Sequence, residues 1–563
     1  MRAQVVMLAA AVALGGAGVS FAQTFHADDP MRRDDDRLID VREEPAEVEL
    51  SDLYDRFGHI FHMFGDPPFP AFVEAQNVNT LDEVPDSSWF VNRNRARRLT
   101  LDEVRRGSNV DGPPDLEGTW TIFAGKSQGI TPGFSIRDAR GDRYVVKFDP
   151  VAVPELATAA EAIGTKIFHA LGYHVPQNYV VYVNPEKLAI EPDTMVEDRF
   201  GDAVPLTGAR LQRMIRRVPR DARGRMRVLA SRYIDGVPLG PFRYYGTRSD
   251  DPNDVIPHEH RRELRGLRLF AAWTNHDDTR AQNTQASWVE EEGRHHVRHW
   301  LMDFGSTFGS GSVEIQLANL GVQYWLDPGE VKRNALGFGF RVPPYRRVRW
   351  PDFPEYEAVG RWEADAFDPF AWRNDYPNPA FVRMTPRDAF WAAKILMRLT
   401  PEALLAIVET GAFSNPAHVT YFHDVLLRRQ RAAGQAGINL LNPLDEFVVS
   451  DNILRFENLS ERYGFVAPQS TSYEVAWALY DNAAGRVGET RGRSTGGATT
   501  APLPEAGRDV GDRNLLLRAE IVSRHPDHPD WARPVRVYLR SNGRSYEVIA
   551  IDRESDQRYI DMS

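Results

Sequence analysis

Residues 276–305 contain the stretch that decides the fold. It begins with His276-Asp277-Asp278-Thr279-Arg280-Ala281-Gln282-Asn283 and ends with Asp303-Phe304-Gly305. Between the two motifs, Thr284–Val289 and His296–Leu301 flank the turn Glu290–Gly293, a pattern that predicts a β-hairpin. Asp-Phe-Gly alone is a common tripeptide. An acid and an amide five residues apart, followed after a hairpin by Asp-Phe-Gly, form a pair that chance produces much less often.

The first motif fits the pattern H-x-D-x-K/R-x-x-N without a gap, and with the later Asp-Phe-Gly the chain resembles the protein-kinase-like superfamily from residue 118 to about 435. The resemblance implies that Asp278 is the base for the attacking hydroxyl and that Arg280 steadies the transferred phosphoryl group. It also implies that Asn283 and Asp303 hold Mg²⁺, which prefers hard oxygen ligands. Asp277 replaces the usual Arg, so a phosphorylated loop would lack its customary partner.

Upstream of this stretch, a polar–apolar alternation predicts three strands at Thr119–Phe123, Phe134–Ile136 and Arg143–Phe148. A helix is predicted from Pro154 to the stop at Gly172. In the resemblance, Lys147 of the third strand binds the nucleotide phosphates and pairs with a glutamate of this helix. Glu161 is the expected partner because it lies mid-helix, whereas Glu155 lies in the first turn, where it favours the helix dipole.

The glycine-rich segment between the first two strands is a candidate phosphate contact. Glycine lets backbone N–H groups approach phosphates because no Cβ intervenes. The candidate residues are Gly125, Ser127, Gly129 and Gly133. A Walker motif is excluded because it would need glycine where Trp120 stands. The spacing also departs from the kinase G-x-G-x-x-G, so the segment is weak evidence by itself.

Two more strands are predicted at Gln177–Val183 and Arg227–Tyr233. The resemblance makes the connector after the second of these the hinge that receives adenine, with the backbone groups of Arg232, Tyr233 and Ile234 as candidates. Between the strands lies an insertion at 184–226 with a basic segment, Arg210–Arg217. An exposed arginine-rich face is favoured there over a substrate-docking patch.

The sequence of the second half of the chain predicts helices followed by strands. A helix begins near His258-Glu259-His260, which is not a zinc motif because the two histidines fall about 200° apart on a helix. Three further helices with an early proline are predicted at Pro386–Leu399, Pro401–Thr410 and Pro416–Ala433. Five strands are predicted at Leu454–Glu457, Tyr473–Tyr480, Leu515–Ser523, Val535–Leu539 and Tyr546–Asp552, with a mobile loop at Gly485–Asp512.

The composition of the chain argues against several classes of partner and site. The chain has 563 residues, 42% of them hydrophobic and 26% charged, and a net charge of -11, which argues against nucleic acid or an anionic membrane as partner. It has no cysteine, hence no disulfide and no thiolate zinc site. Residues 1–22 have a positive start, an apolar run and a small-x-small site before Gln23, which predicts a bacterial signal peptide. A periplasmic or secreted protein is expected, without an integral membrane segment once the signal peptide has been removed.

The predicted fold class is α+β: a bilobal protein-kinase-like fold, with a β-rich N-lobe and a mainly helical C-lobe, followed by a small all-β domain. The expected division is 1–22 signal peptide, 23–115 acidic and partly irregular extension, 116–240 N-lobe and hinge, 241–448 C-lobe and 449–563 β domain. The implied function is transfer of the γ-phosphate of ATP, with Mg²⁺, to an unknown protein or small-molecule acceptor. A non-catalytic envelope scaffold and an AMP-transferring pseudokinase remain alternatives.

Overall fold

The computed structural model describes residues 24–31, 37–65, 71–95, 97–125, 133–197, 202–338, 340–342, 354–504 and 515–560. The predicted signal peptide therefore lies outside the described residues. The chain is a mixed α/β protein in which the sheets and most of the helices occupy successive parts of the sequence.

The first described part contains two helices, α1 (Asp52–Gly65) and α2 (Leu101–Arg106). Thr100 caps α2 in a capping box with Glu103, which satisfies two backbone donors at the helix start. Residues 23–115 were expected to be an acidic, partly irregular extension. Trp89 and Phe90 of this extension lie buried in the main hydrophobic core, where the ring of Phe90 is 5.3 Å from that of Trp391.

A six-stranded sheet follows. The described residues of this region form eight strands: β1 (Trp120–Gly125), β2 (Gly133–Arg137), β3 (Arg143–Phe148), β4 (Asn178–Val183), β5 (Leu188–Ile190), β6 (Met195–Glu197), β7 (Ala203–Pro205) and β8 (Met226–Arg232). The sheet order is β4-β8-β3-β2-β1-β5, antiparallel except where β5 runs parallel to β1. β6 and β7 form a separate hairpin. The five predicted strands of this region are thus confirmed, within one or two residues at their ends.

Two α-helices lie in the part of this region that the structure describes. α3 (Leu156–Leu171) follows β3 and ends at Gly172, as predicted, because glycine there adopts φ +124. α4 (Gly208–Ile215) is the basic segment of the insertion, and it buries Leu211 and Ile215 against the sheet while its arginines point outward. This agrees with the exposed arginine-rich face.

The helical part begins after the short strand β9 (Val237–Pro238). It contains α5 (Arg262–Thr274), the hairpin of β10 (Thr284–Glu291) and β11 (Arg294–Leu301), α6 (Pro328–Leu336), α7 (Pro386–Met397), α8 (Pro401–Val408) and α9 (Pro416–Ile438). Proline opens α7, α8 and α9, and Thr385, Thr400 and Asn415 cap them by accepting backbone N–H groups. The hairpin and these three helices confirm the sequence predictions.

The last part is mostly β-structure. It holds β12 (Leu444–Ser450), β13 (Ile453–Asn458), a one-turn helix α10 (Leu459–Arg462), β14 (Ser472–Asp481), β15 (Arg486–Gly496), β16 (Thr500–Pro502), β17 (Leu515–Arg524), β18 (Val535–Ser541) and β19 (Tyr546–Arg553). The strands form two sheets, β12-β13-β16 and β15-β14-β17-β18-β19, whose side chains share one hydrophobic core.

The predicted mobile loop at Gly485–Asp512 is wrong where β15 and β16 lie, and its residues 505–512 are outside the described residues. β15 pairs antiparallel with β14 at the edge of its sheet. Nearly all of its residues are exposed, so it has no polar–apolar alternation to reveal it. Backbone hydrogen bonds to one neighbour suffice to hold an edge strand of this kind.

Among the helices that the structure describes, none combines the length and the apolar composition needed to cross a membrane.

Candidate active site

A cluster of three charged groups joins β3, α3 and the loop after β11. The Nζ atom of Lys147 contacts Oε1 of Glu161 and lies 3.2 Å from Oδ1 of Asp303. Burial alone would lower the pKa of Lys147, but the two carboxylates outweigh it and the pKa lies above its ordinary value. Burial and the nearby Asp303 raise the pKa of Glu161. The structure thus brings together three residues that the sequence singled out.

Glu161 also fixes the Asp-Phe-Gly motif. Its Oε2 atom accepts the backbone N–H of Phe304 at 3.0 Å and the Nδ2 of Asn178 at 3.3 Å. Glu155 is remote from this cluster and accepts the backbone N–H of Ser414 at 2.9 Å. The choice of Glu161 over Glu155 as the partner of Lys147 therefore agrees with the geometry.

The loop after α5 packs directly on the same motif. α5 ends at Asn275, whose backbone adopts φ +50, and the chain then enters His276. The buried His276 ring lies 5.5 Å from the ring of Phe304 and 5.9 Å from that of Phe168 in α3. This aromatic contact positions the backbone of Asp277 and Asp278 relative to Asp303.

Asp277 and Asp278 have different partners. Oδ1 of the buried Asp277 accepts hydrogen bonds from Ser306 Oγ at 3.1 Å and from Gln316 Nε2, so it holds the segment after Asp-Phe-Gly. Oδ1 of Asp278 lies 2.6 Å from Nε of Arg280, and about a quarter of its side chain is exposed. Burial and the nearby Asp303 raise the pKa of Asp278 to about 6, against the opposing charge of Arg280.

Asn283 and Asp303 offer oxygen atoms for a metal ion. Nδ2 of Asn283 donates to the backbone carbonyl of Asp278 at 2.8 Å, which fixes the amide. Asp303 has φ +53, a left-handed conformation that costs a non-glycine residue about 1–3 kcal/mol and is concentrated at functional sites. Within the described ranges, no group of three or more His, Asp or Glu side chains forms a metal site. The donor set fits Mg²⁺, which commonly takes one or two protein ligands and fills its shell with phosphates and water.

The predicted nucleotide contacts are only partly described. Ser127 and Gly129 lie outside the described residues. A Cβ at Gly125 would stand 2.9 Å from Cα of Val196, so packing against the insertion already requires this glycine. Gly133 pairs with Lys147 across β2 and β3, which places the end of the segment beside the lysine.

The predicted hinge is a continuation of the sheet. The backbone N–H of Arg232 donates to Gln177 at 2.9 Å, and that of Tyr233 donates to Arg143 at 3.0 Å. Both of these N–H donors are therefore engaged within the protein. Behind Lys147, a small cavity is lined by Lys147, Phe148, Ala157, Thr158, Glu161, Leu229 and Gly305.

Sequence reasoning missed the residues that support the site from other elements. Asn178 holds Glu161, and Gln316 holds Asp277 across 39 positions of the chain. Both are single polar residues without a motif, so no local signal marks them.

Comparison with known proteins gives little beyond this geometry. No family model and no curated protein matches the sequence. Solved structures that resemble the chain include the Helicobacter pylori proinflammatory kinase CtkA, with 13% identity, a TM-score of 0.29 and coverage of 56% of this chain and 95% of that one. The Golgi casein kinase has 11% identity, a TM-score of 0.29 and coverage of 70% and 91%. Its complex with Mn/ADP has 10% identity, a TM-score of 0.27 and coverage of 60% and 76%. TM-scores this low carry no argument about the fold or the function of this chain.

Proposed function

We propose that this protein is an ATP-dependent phosphotransferase with a bilobal, kinase-like catalytic region and Mg²⁺ as cofactor. The observation that carries the proposal is the contact of Lys147 with both Glu161 and Asp303. These residues come from a strand, a helix and a loop that lie up to 156 positions apart, and each was expected at the phosphates from its own motif. A fixed cation beside metal-binding oxygens is what the transfer of a phosphoryl group requires.

The residues divide the chemistry as follows. Lys147 orients the phosphates, and Asp303 and Asn283 would hold Mg²⁺, which neutralises phosphate charge when bound. Asp278 accepts the proton of the acceptor hydroxyl while that oxygen bonds to the γ-phosphorus. The bond between this phosphorus and the β-phosphate oxygen breaks, and ADP leaves. Arg280, paired with Asp278, supplies a cation for the transferred group.

The acceptor is a protein or a small molecule with a free hydroxyl group. We place the reaction outside the cytoplasm, in the periplasm or the medium, because residues 1–22 have the pattern of a bacterial signal peptide. The net charge of -11 makes nucleic acid an unfavourable partner.

Labelled ATP tests the proposal. Purified protein is incubated with Mg²⁺ and either γ- or α-labelled ATP, alone and with extract of the native host, and the label on protein and small molecules is counted. Label from the γ position only is expected. Label from the α position would instead show AMP transfer, and no label with no nucleotide binding would show a non-catalytic scaffold.

Two variants make the result specific to the site. Asp303→Asn should lose the transfer because it removes the carboxylate expected to bind the metal. Asp424→Asn is the matched control, since its side chain is 65% exposed on α9. Equal activity of Asp303→Asn and the wild type would contradict the proposal.

A further inference from the structure

A buried arginine, Arg227 of β8, connects three separate parts of the chain. Its Nε atom donates to Oγ1 of Thr158 in the first turn of α3 at 2.9 Å. Its Nη1 and Nη2 atoms donate to the backbone carbonyls of Ala412 and Gly411, each at 2.5 Å. Those carbonyls belong to the connection between α8 and α9. Arg227 thus ties the six-stranded sheet and α3 to the helical part.

Asp149 extends this connection to the strand of Lys147. It follows Lys147 by two residues, and its Oδ2 atom lies 3.3 Å from Nε of Arg227. Its Oδ1 and Oδ2 atoms accept the N–H of Thr158 at 2.9 Å and its hydroxyl at 2.8 Å. Thr158 precedes Glu161 by three residues, about one helical turn. One hydrogen-bonded group therefore fixes the end of β3 relative to the turn of α3 that carries Glu161.

The surroundings leave α3 little room to shift. Fifteen of its sixteen residues are buried. A Cβ at Gly411 would stand 2.8 Å from Cδ1 of Ile163, so the connection and the helix touch through a glycine. Tightly packed interfaces of this kind do not deform continuously.

We propose that Arg227 is a positioning residue that holds Lys147 and Glu161 in contact. This inference rests on the proposed function, because the Lys147–Glu161 pair matters for phosphate binding only if the protein binds a nucleotide. Arginine suits the role since its planar fork serves several partners in fixed directions, which a lysine ammonium does not reproduce. Arg227 is 5% exposed and acts through the pair.

The matched variants Thr158→Val and Thr158→Ser test the inference with little change in volume. Valine removes the hydroxyl that joins Arg227 to Asp149, and serine keeps it. Thr158→Val should lower kcat about 10–100-fold, the scale of a misplaced catalytic group. Thr158→Ser should stay near the wild type. Equal kcat values for the two variants would overturn the inference.

A double-mutant cycle separates positioning from general stability. Arg227→Lys should lower kcat in the wild-type background and change it less than about twofold in a Lys147→Ala background, because residues that act through one pair are not additive. Arg225→Lys is the control, since Arg225 lies two residues away and pairs with Asp221 at the surface. The positioning role would be overturned if the effects of Arg227→Lys and Lys147→Ala on kcat were additive. It would also be overturned if the loss of kcat only paralleled a fall in melting temperature.

Nucleotide titration keeps the two proposals apart. A wild type that binds ATP with Mg²⁺ and transfers phosphate, but whose Arg227 variants lose activity additively, overturns the positioning role alone. A wild type that binds no nucleotide at millimolar concentration overturns the proposed function, and the positioning role with it.

Discussion

Asp277 and Asp278 are neighbours in sequence, yet their carboxyl groups face different partners. Asp277 accepts hydrogen bonds from Ser306 and Gln316, and burial raises its pKa well above the ordinary value. Asp278 is partly exposed and paired with Arg280. Both residues lie in a turn, and their different partners allow one acid to hold the structure while the next is left for the proposed chemistry.

This division predicts the effect of two amide substitutions. Asp278→Asn removes the carboxylate proposed as the base for the substrate proton, so turnover should fall about 10²–10⁴-fold with nucleotide affinity nearly unchanged. Asp277→Asn should have a much smaller effect because an amide oxygen can still accept from Ser306 and Gln316. Initial rates with γ-labelled ATP and calorimetric nucleotide binding measure both. The reverse order of effects would assign the base to Asp277.

Asp303 allows a prediction about ligand binding. A ligand that binds only the folded state stabilises it by about 2.7 kcal/mol at 100 times its Kd. ATP with Mg²⁺ should therefore raise the melting temperature of the wild type. The shift should be smaller for Asp303→Ala, which removes the expected metal ligand, and unchanged for Asp424→Asn. Scanning calorimetry at a fixed ATP concentration, with and without Mg²⁺, provides the measurement, and equal shifts in all three proteins would contradict the metal assignment.

Residues whose role depends on a motif could be predicted from sequence, and residues whose role depends on a distant contact could not. Lys147, Glu161 and Asp303 stand in recognisable local patterns, and the structure brings them together. Arg227 has no such pattern, because its carbonyl partners lie more than 180 positions away. At the predicted hinge, the backbone N–H groups of Arg232 and Tyr233 donate to the carbonyls of Gln177 and Arg143, contacts that no local pattern in the sequence indicates.

At the scale of elements, α3 contains a charge that the proposed chemistry does not use. Lys166 is buried, and its Nζ atom donates to the backbone carbonyl of Asn178 at 3.1 Å. No carboxylate of the described residues pairs with it. Burial consequently lowers its pKa to about 7. The helix therefore holds a poorly compensated cation one turn beyond Glu161.

Lys166→Met should stabilise the protein at neutral pH by more than about 1 kcal/mol, because it removes the cost of burying that charge. In the wild type, the unfolded chain binds this proton up to pH 10.5 and the folded chain only up to about pH 7. Unfolding free energy should therefore rise with pH between 7 and 10.5, by at most about 1.4 kcal/mol per unit from this group. The methionine variant should lack this rise. Urea denaturation at several pH values tests it, with the exposed Lys332→Met as control.

Elements with a clear hydrophobic periodicity or a proline at their start could be predicted from the sequence. Elements that depend on capping, on packing against distant residues or on edge-strand hydrogen bonds could not. β3 and the helices α7–α9 have alternation or proline starts, and the structure contains them. α2 is only six residues long, so its capping box and its packing on α3 and α8 determine it more than its own period does. β15 is an exposed edge strand without apolar alternation.

At the scale of the whole molecule, a buried ion network joins the first, helical and last parts of the chain. Oδ1 of Asp82 lies 2.6 Å from Arg262 Nη1 and 2.9 Å from Arg387 Nη2, and its Oδ2 lies 3.5 Å from Arg553 Nε. Arg553 of β19 also pairs with Asp445 of β12 at 2.7 Å. Three arginines thus converge on one acid of the N-terminal extension.

The network predicts a loss of stability when Asp82 is neutralised. Burial would raise its pKa, but Arg262, Arg387 and Arg553 outweigh burial and hold the pKa far below the ordinary 3.8. Asp82→Asn leaves buried arginine charge uncompensated and should lower the unfolding free energy at pH 7 by about 3–5 kcal/mol. Asp424→Asn, at an exposed site, should leave it unchanged. Urea denaturation followed by tryptophan fluorescence measures both.

The same network determines how the unfolding free energy changes as the pH falls. Asp445, held by Lys394 and Arg553 against the effect of burial, has its pKa lowered to about 2. A carboxylate with a depressed folded pKa contributes stability that is complete above the unfolded value and is lost as pH falls through the folded value. The unfolding free energy should therefore drop between about pH 4 and pH 2, and less steeply in Asp445→Asn, which no longer titrates. Wild-type and variant curves that stay parallel over this range would show that Asp445 does not link β12 and β19 to the helical part through its charge.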